Sequence, residues 1–158
     1  MLFTSPSKGQ VTFHKMFEDL VTYTNEYPDE SYKLIIGTDS HSLLNESVIF
    51  VTAVIVHRIG KGGRFYYHKQ KTRYMESLRQ RIYYETFLSL GVATRMTEQL
   101  AQNGNCQLNV EIHLDVGEKG QTRDIIKEVV GMVIGSGYQA CIKPDSFGAT
   151  TVADRFTK

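Results

Sequence analysis

Apolar residues recur along the chain with two different periods, and the change falls near Tyr74. Phe13, Met16, Phe17, Leu20 and Val21 stand at three- and four-residue steps. That spacing predicts a helix from Thr12, whose hydroxyl can cap the first turn, to about Tyr27. Pro28 and Asp29 end it. The preceding segment, Met1 to Gln10, contains Pro6 and Gly9 and reads as irregular. Lys33 to Thr38 is the first expected strand, followed by a polar turn from Ser40 to Ser47. Val48 to Val56 is apolar on both faces and so belongs in the middle of a sheet. Gly60, Gly62 and Gly63 mark a turn into a third strand, Arg64 to Lys71, which is more polar and nearer an edge. Short turns make these three strands an antiparallel meander.

Beyond Tyr74 the period lengthens. Leu78, Ile82, Glu85, Ser89, Val92 and Met96 share one face of a long helix from about Tyr74 to Gln102, which Asn103-Gly104-Asn105 stops. Leu108, Val110, Ile112 and Leu114 alternate with polar residues, giving a fourth strand. A helix follows from about Thr122, with Ile125, Ile126, Val129, Val130 and Val133 as its apolar face. Gly135-Ser136-Gly137 ends it, and Tyr138 to Ile142 is a fifth strand. After Lys143-Pro144-Asp145 a last helix runs from about Phe147 to Phe156. A strand–helix–strand crossover makes its flanking strands parallel, and the later strands add on the far side of the first. The expected fold is therefore α/β (mixed): one domain over residues 1–158, a five-stranded mixed sheet with helices on its faces, plus the N-terminal helix.

The chain's 158 residues suffice for one substantial core, and its 41% hydrophobic content is that of a soluble globular protein. No apolar run reaches the ~20 residues that span a bilayer. Met1 to Gln10 lacks an apolar signal core. Cys106 and Cys141 have neither zinc-type nor CxxC spacing, which fits two reduced thiols in a cytoplasmic protein. The net charge of +1 hides an uneven distribution. Between Arg58 and Arg81 stand eight basic residues against Glu76 alone, with Phe65, Tyr66, Tyr67 and Tyr74 interleaved. Such a strip can be a solvated hairpin face or can hold a phosphate backbone. On the second reading Arg64, Lys69, Lys71 and Arg73 contact DNA or RNA.

Three acids stand where core elements end or face inward. Asp39 closes the first strand, Asp115 the fourth, and Glu85 lies on the apolar stripe of the long helix. Neighbouring parallel strands bring their carboxyl ends together, so Asp39 and Asp115 emerge side by side. Clustered carboxylates raise one another's pKa or recruit a cation, and oxygen donors suit Mg²⁺ or Mn²⁺. Glu76 is the alternative helix acid. A fourth carboxylate comes from Asp154, with Asp145 as the alternative and a helix cap as Asp145's ordinary role. Asp154 can equally pair with Arg155 or Lys158. His41 can orient a water or bond within its turn, and Ser40 can donate to a phosphate. No P-loop, GxGxxG or Ser–His–Asp pattern is present.

The sequence resembles the ribonuclease H-like superfamily and, more narrowly, the YkuK-like family of uncharacterised bacterial proteins. Pro6-Ser7-Lys8-Gly9, Ile36-Gly37-Thr38-Asp39-Ser40, His113-Leu114-Asp115-Val116-Gly117, Pro144-Asp145-Ser146-Phe147-Gly148 and Val152-Ala153-Asp154-Arg155 carry that resemblance. It implies a sheet in spatial order 3-2-1-4-5 with helices on both faces. It also implies acids at Asp39, Glu85, Asp115 and Asp154 as catalytic metal ligands. Residues and resemblance together lead to a divalent-metal-dependent nuclease hydrolysing phosphodiester bonds with Mg²⁺ or Mn²⁺. A non-catalytic nucleic-acid-binding domain and a small-molecule phosphohydrolase are the alternatives.

Overall fold

A computed structural model describes residues 1–44, 46–103 and 108–157. The element order is β1 (Leu2–Ser5), β2 (Gly9–Thr12), α1 (Phe13–Glu26), β3 (Tyr32–Leu43), β4 (Ser47–Arg58), β5 (Gly62–Arg73), α2 (Leu78–Gln102), β6 (Asn109–His113), α3 (Ile126–Gly135) and β7 (Gln139–Cys141). A 3₁₀ turn, Arg123–Ile125, leads into α3, and a π-helical segment, Gly148–Ala153, lies near the C-terminus.

The sheet has seven strands in the order β2-β1-β5-β4-β3-β6-β7, not the expected five. The five expected strands keep the order 3-2-1-4-5 within it, with β3–β4–β5 antiparallel and β6 and β7 parallel to β3. The two additional strands come from the segment that reads as irregular. Pro6 and Gly9 flank a tight turn in which Gly9 takes φ 73°, open to glycine at no steric cost. Leu2 to Ser5 then pairs with Gly9 to Thr12 and joins β5 through Thr4 opposite Tyr67. Phe3, fully buried against Phe13, supplies the apolar anchor. Asp19 on α1 accepts hydrogen bonds from Lys8 (2.5 Å), Arg64 (3.3 Å) and the Tyr66 hydroxyl, tying hairpin, helix and β5 together. Burial alone would raise the Asp19 pKa, but the Lys8 and Tyr66 hydrogen bonds hold it below the usual carboxylate value.

Alternation along the strands divides the sheet into two faces. Leu34 and Ile36 of β3, Val54 and Val56 of β4, and Val110 and Ile112 of β6 pack with Met16 and Leu20 of α1, Met96 of α2 and Val129 of α3. The opposite face is covered by the π-helical segment, where Ala153 packs on Val51 and Ala53. Phe156 stacks on Tyr67 there, with ring centroids 3.9 Å apart.

Element boundaries shift in ways that matter for chemistry. α2 starts at Leu78 rather than near Tyr74, because the Ser77 side chain caps it by accepting from the Gln80 N–H. β3 runs through Ser40–Ser42 to Leu43, where a polar turn is expected, and Leu44 (φ 45°) begins the reversal. The continuing ladder with β4 holds those serines in extended form. The C-terminal helix is π-helical over Gly148–Ala153. Gly104, Asn105, Cys106 and Lys158 lie outside the described residues. Among the described residues no helix is long and apolar enough to cross a membrane.

Candidate metal centre

β3 and β6 pair in parallel from Lys33–Asn109 to Gly37–His113, and there β6 ends while β3 continues. The gap beyond the end of β6 is where acids meet. Asp39 sits within β3, opposite Val51 of β4, and faces the π-helical segment. Asp115 lies two residues past the last β6 position. Its loop is fastened by Leu114 N–H to the Cys141 carbonyl (2.9 Å) and Lys143 N–H to the Val116 carbonyl (2.9 Å).

Glu85 arrives from the other face, and a repeat match places it. Successive same-face residues on a strand are ~6.8 Å apart, and helix residues four apart rise ~6 Å. Running antiparallel, Arg81, Glu85 and Ser89 of α2 therefore stay level with Ser42, Ser40 and Thr38 of β3. Ser89 Oγ and Thr38 Oγ1 are 2.7 Å apart, and Thr38 continues to Thr52 at 3.0 Å. Ser40 Oγ donates to Glu85 Oε2 at 2.5 Å. Arg81 donates to Ser40 Oγ (3.1 Å), Ser42 Oγ (3.2 Å) and the Ser40 carbonyl (3.0 Å).

Carboxylate oxygens of Asp39, Glu85 and Asp115 lie within 4.8 Å of one another. Asp154, just past the π-helical segment, hydrogen-bonds Asp39. Asp39 and Glu85 are only 6% and 5% exposed. Burial, the Asp154 hydrogen bond and the charges of Glu85 and Asp115 push the Asp39 pKa up to about 9. Glu85 is pushed up to about 8, chiefly by burial; the Ser40 hydrogen bond opposes the rise, Asp115 adds to it, and Arg81 and Lys143 oppose it. Lys143 Nζ is 2.9 Å from Asp115 Oδ1.

The donor set answers whether a metal ion would suit these residues. Three hard oxygen donors converge in one site, and burial together with neighbouring negative charge makes two of them hold their protons. A divalent ion supplies the opposite charge and matches Mg²⁺ or Mn²⁺ ligand chemistry.

Other expected positions fall elsewhere. Glu76 precedes the Ser77 cap and stays exposed. Asp145 is exposed in the turn before the π-helical segment, which has no side-chain cap. His41 is exposed on the Asp39 face of β3. The basic strip divides, because alternate residues of β5 face opposite ways. Lys69, opposite Val51, shares the face of Asp39, with Lys71 and Arg73 in line beyond it, all exposed. Arg64 points to the α1 face, where it pairs with Asp19 and stacks over the Tyr23 ring at 4.7 Å. Arg58 pairs with Glu30 and Arg79 with Glu128.

Arg81 was legible only as the end of the basic strip, not as a partner of the acids, and Lys143 was not legible as a site residue. The signal for Arg81 was its four-residue spacing from Glu85; Lys143 carried none. Glu111, His113 and Cys141 form a second close group, with one ligand-type atom from each within 4.8 Å of the others. Glu111 and His113 are the polar alternates of β6, yet both are buried.

A family model described as Ribonuclease H-like matches residues 15–158. The Uncharacterized protein YkuK of Bacillus subtilis (strain 168) is 38% identical over 169 residues, spanning 99% of this chain and 97% of its own length. No solved structure matches the chain. With the family model covering nearly the whole length, the chain belongs to the ribonuclease H-like family.

Proposed function

We propose that this protein is a divalent-metal-dependent nuclease that hydrolyses phosphodiester bonds of nucleic acid. One observation carries the reading: Asp39, Glu85 and Asp115 converge from three separate elements, within 4.8 Å, in the gap where β6 ends. Asp39 and Asp115 would hold Mg²⁺ or Mn²⁺, with Glu85 and Asp154 completing the set. Such ions polarise a phosphoryl oxygen and lower the pKa of bound water. The chain's own residues orient and exclude. Ser40 and Arg81 fix the Glu85 carboxylate, and the π-helical segment closes the second face over Asp39. Arg81 and Lys143 flank the acids as fixed positive charge for a phosphate that enters between them.

Lys69, Lys71 and Arg73 would hold the strand. Lys69 stands level with Asp39 across β4, two strand spacings or about 10 Å away. Lys71 and Arg73 then follow at ~6.8 Å intervals along β5. The test is purified protein with end-labelled single- and double-stranded DNA and RNA, with Mg²⁺ or Mn²⁺ and with chelator. Cleavage that needs the ion and disappears in Asp39→Asn supports the reading; no cleavage of any form with either ion sinks it. A second reading, a nucleic-acid-binding domain without turnover, draws on the ion pair that Lys143 makes with Asp115. Binding unchanged by removal of the acids, without metal uptake, would select that reading.

A further inference from the structure

Buried Glu111 and His113, with half-buried Cys141 and a partly exposed Lys33, form a polar cluster on the sheet face beneath the π-helical segment. The register places them there: Glu111 lies opposite Ile35, and His113 opposite both Gly37 and Cys141. His113 is 1% exposed, and both its ring nitrogens are engaged. Nδ1 accepts the Gly148 N–H at 3.0 Å. A ring nitrogen that accepts carries no proton, so the proton of the neutral ring is on Nε2, which donates to Glu111 Oε1 at 3.1 Å. Cys141 Sγ donates to the same oxygen at 3.3 Å, and Lys33 Nζ lies 2.9 Å from Oε2.

That tautomer argues against a second metal centre here. Ligating histidines donate their other ring N–H outward, whereas His113 accepts on that side. The cluster is instead a satisfied relay that ends on a backbone amide. Gly148 opens the π-helical segment, and Asp154 follows its last turn.

We infer that His113, braced by Glu111 and Lys33, is the positioning residue that holds Asp154 in the carboxylate cluster; the inference rests on the metal-site reading above. Seating of the segment is tight at its start. A Cβ on Gly37 would lie 2.6 Å from Ala149 N and 2.7 Å from Gly148 C. A Cβ on Gly148 would lie 2.9 Å from Ile35 Cγ2 and 3.2 Å from His113 Nδ1. The Phe147 ring also stands edge-on to His113, centroids 4.8 Å apart. Gly37 and Asp39 are same-face neighbours on β3, so one short helical segment spans from the His113 anchor to the Asp39–Asp154 hydrogen bond. π-Helical turns are rare and concentrate at functional sites, which fits a segment placed by outside contacts.

Two variants separate this role from simple packing. The Asn amide oxygen of His113→Asn can stand where Nδ1 does and accept from Gly148. His113→Gln carries its amide past that point and leaves the Gly148 N–H without an acceptor. Three readouts on the intact protein are compared: amide hydrogen exchange over residues 148–155 against α2, the carboxyl ¹³C signals of Asp39 and Asp154 without ions, and Mn²⁺ affinity by calorimetry. The Gln variant is expected to speed exchange over 148–155 alone and to uncouple the two carboxyl signals. It should also weaken Mn²⁺ binding by about tenfold or more, the usual cost of losing a residue that orients a ligand. The Asn variant should keep all three near wild type. Equal behaviour of the two variants overturns the inference, and so does loss of α2 protection in both, which would mark a packing role. If the wild-type protein takes up no Mn²⁺, the metal reading fails on its own, while exchange and carboxyl signals still decide the role of His113.

Discussion

Replacing Asp39 by Asn should flatten the pH dependence of stability of the ion-free protein. In the folded chain Asp39 holds its proton to about pH 9, against an ordinary value of 3.8. A carboxyl with a raised folded pKa binds more protons folded than unfolded, so stability falls as pH rises between the two values. The loss is about 1.4 kcal/mol per pH unit for each proton retained. The window must exclude other groups. His113, whose pKa burial lowers, acts in the opposite sense, adding stability as pH climbs through the ordinary histidine range. The lowered carboxyls Asp19 and Glu111 matter only in acid. From about pH 7 to 8 the unfolded histidine and carboxyls have already released their protons, and Asp39 still holds its own.

Across that unit Asp39 should cost ~1.4 kcal/mol, or ~3–6 °C of melting temperature for a chain of this size. Glu85, pushed up to about 8, adds in the same direction as its proton leaves. Circular-dichroism melts at fixed ionic strength with chelator measure the slope. The wild-type protein should lose stability from pH 7 to 8, and Asp39→Asn should lose markedly less. Mn²⁺ at a hundredfold excess over its dissociation constant should raise wild-type stability by ~2.7 kcal/mol, and less in the variant. A flat wild-type profile, or an Asn variant as steep as wild type, would refute the account of a charge-starved carboxylate cluster.

Glycine substitutions test the seating of the π-helical segment: Gly37→Ala, whose methyl meets Ala149 N at 2.6 Å, should cost ~1–3 kcal/mol in urea unfolding. Gly91→Ala, exposed in α2 with nothing within 4 Å of its added carbon, should gain ~0.5–1 kcal/mol in the same assay. Lys69→Ala and Lys71→Ala should each lower the salt slope of oligonucleotide binding by ~0.7–0.9, whereas Arg64→Ala, on the other face, should leave it unchanged. Lys143→Met removes the ammonium 2.9 Å from Asp115, so Mn²⁺ affinity measured by calorimetry should rise; an unchanged value would show that this cation does not compete for the site.

Strand order and the approach of Asp39 to Asp115 were readable because both follow from connectivity. The long helix joins β5 to β6, so β6 runs parallel to β5 and β3 and adds beyond β3, which leaves few ways to keep Asp39 and Asp115 apart. Glu85 was readable because a carboxylate on an apolar stripe needs a reason to be there. Several departures from the sequence reading come from polar residues whose partners lie far away in sequence. Ser40 and Ser42 read as a turn, yet they extend β3, held by the ladder with β4 and by Arg81, three elements later, which satisfies both hydroxyls. Glu111 and His113 are the polar alternates of β6, yet both are buried, because Lys33, Cys141 and Gly148 bond them. Met1 to Gln10 read as irregular because two four-residue strands form no stable sheet alone, and only the edge of β5 makes them one. The basic strip misled differently: a charge run counts residues, whereas a strand sends alternate ones to opposite faces. Once that alternation is applied to β5, Arg64 leaves the site and Lys69 comes level with Asp39. Periodicity thus locates apolar residues from the sequence alone, while a polar residue is placed only when its partner is known.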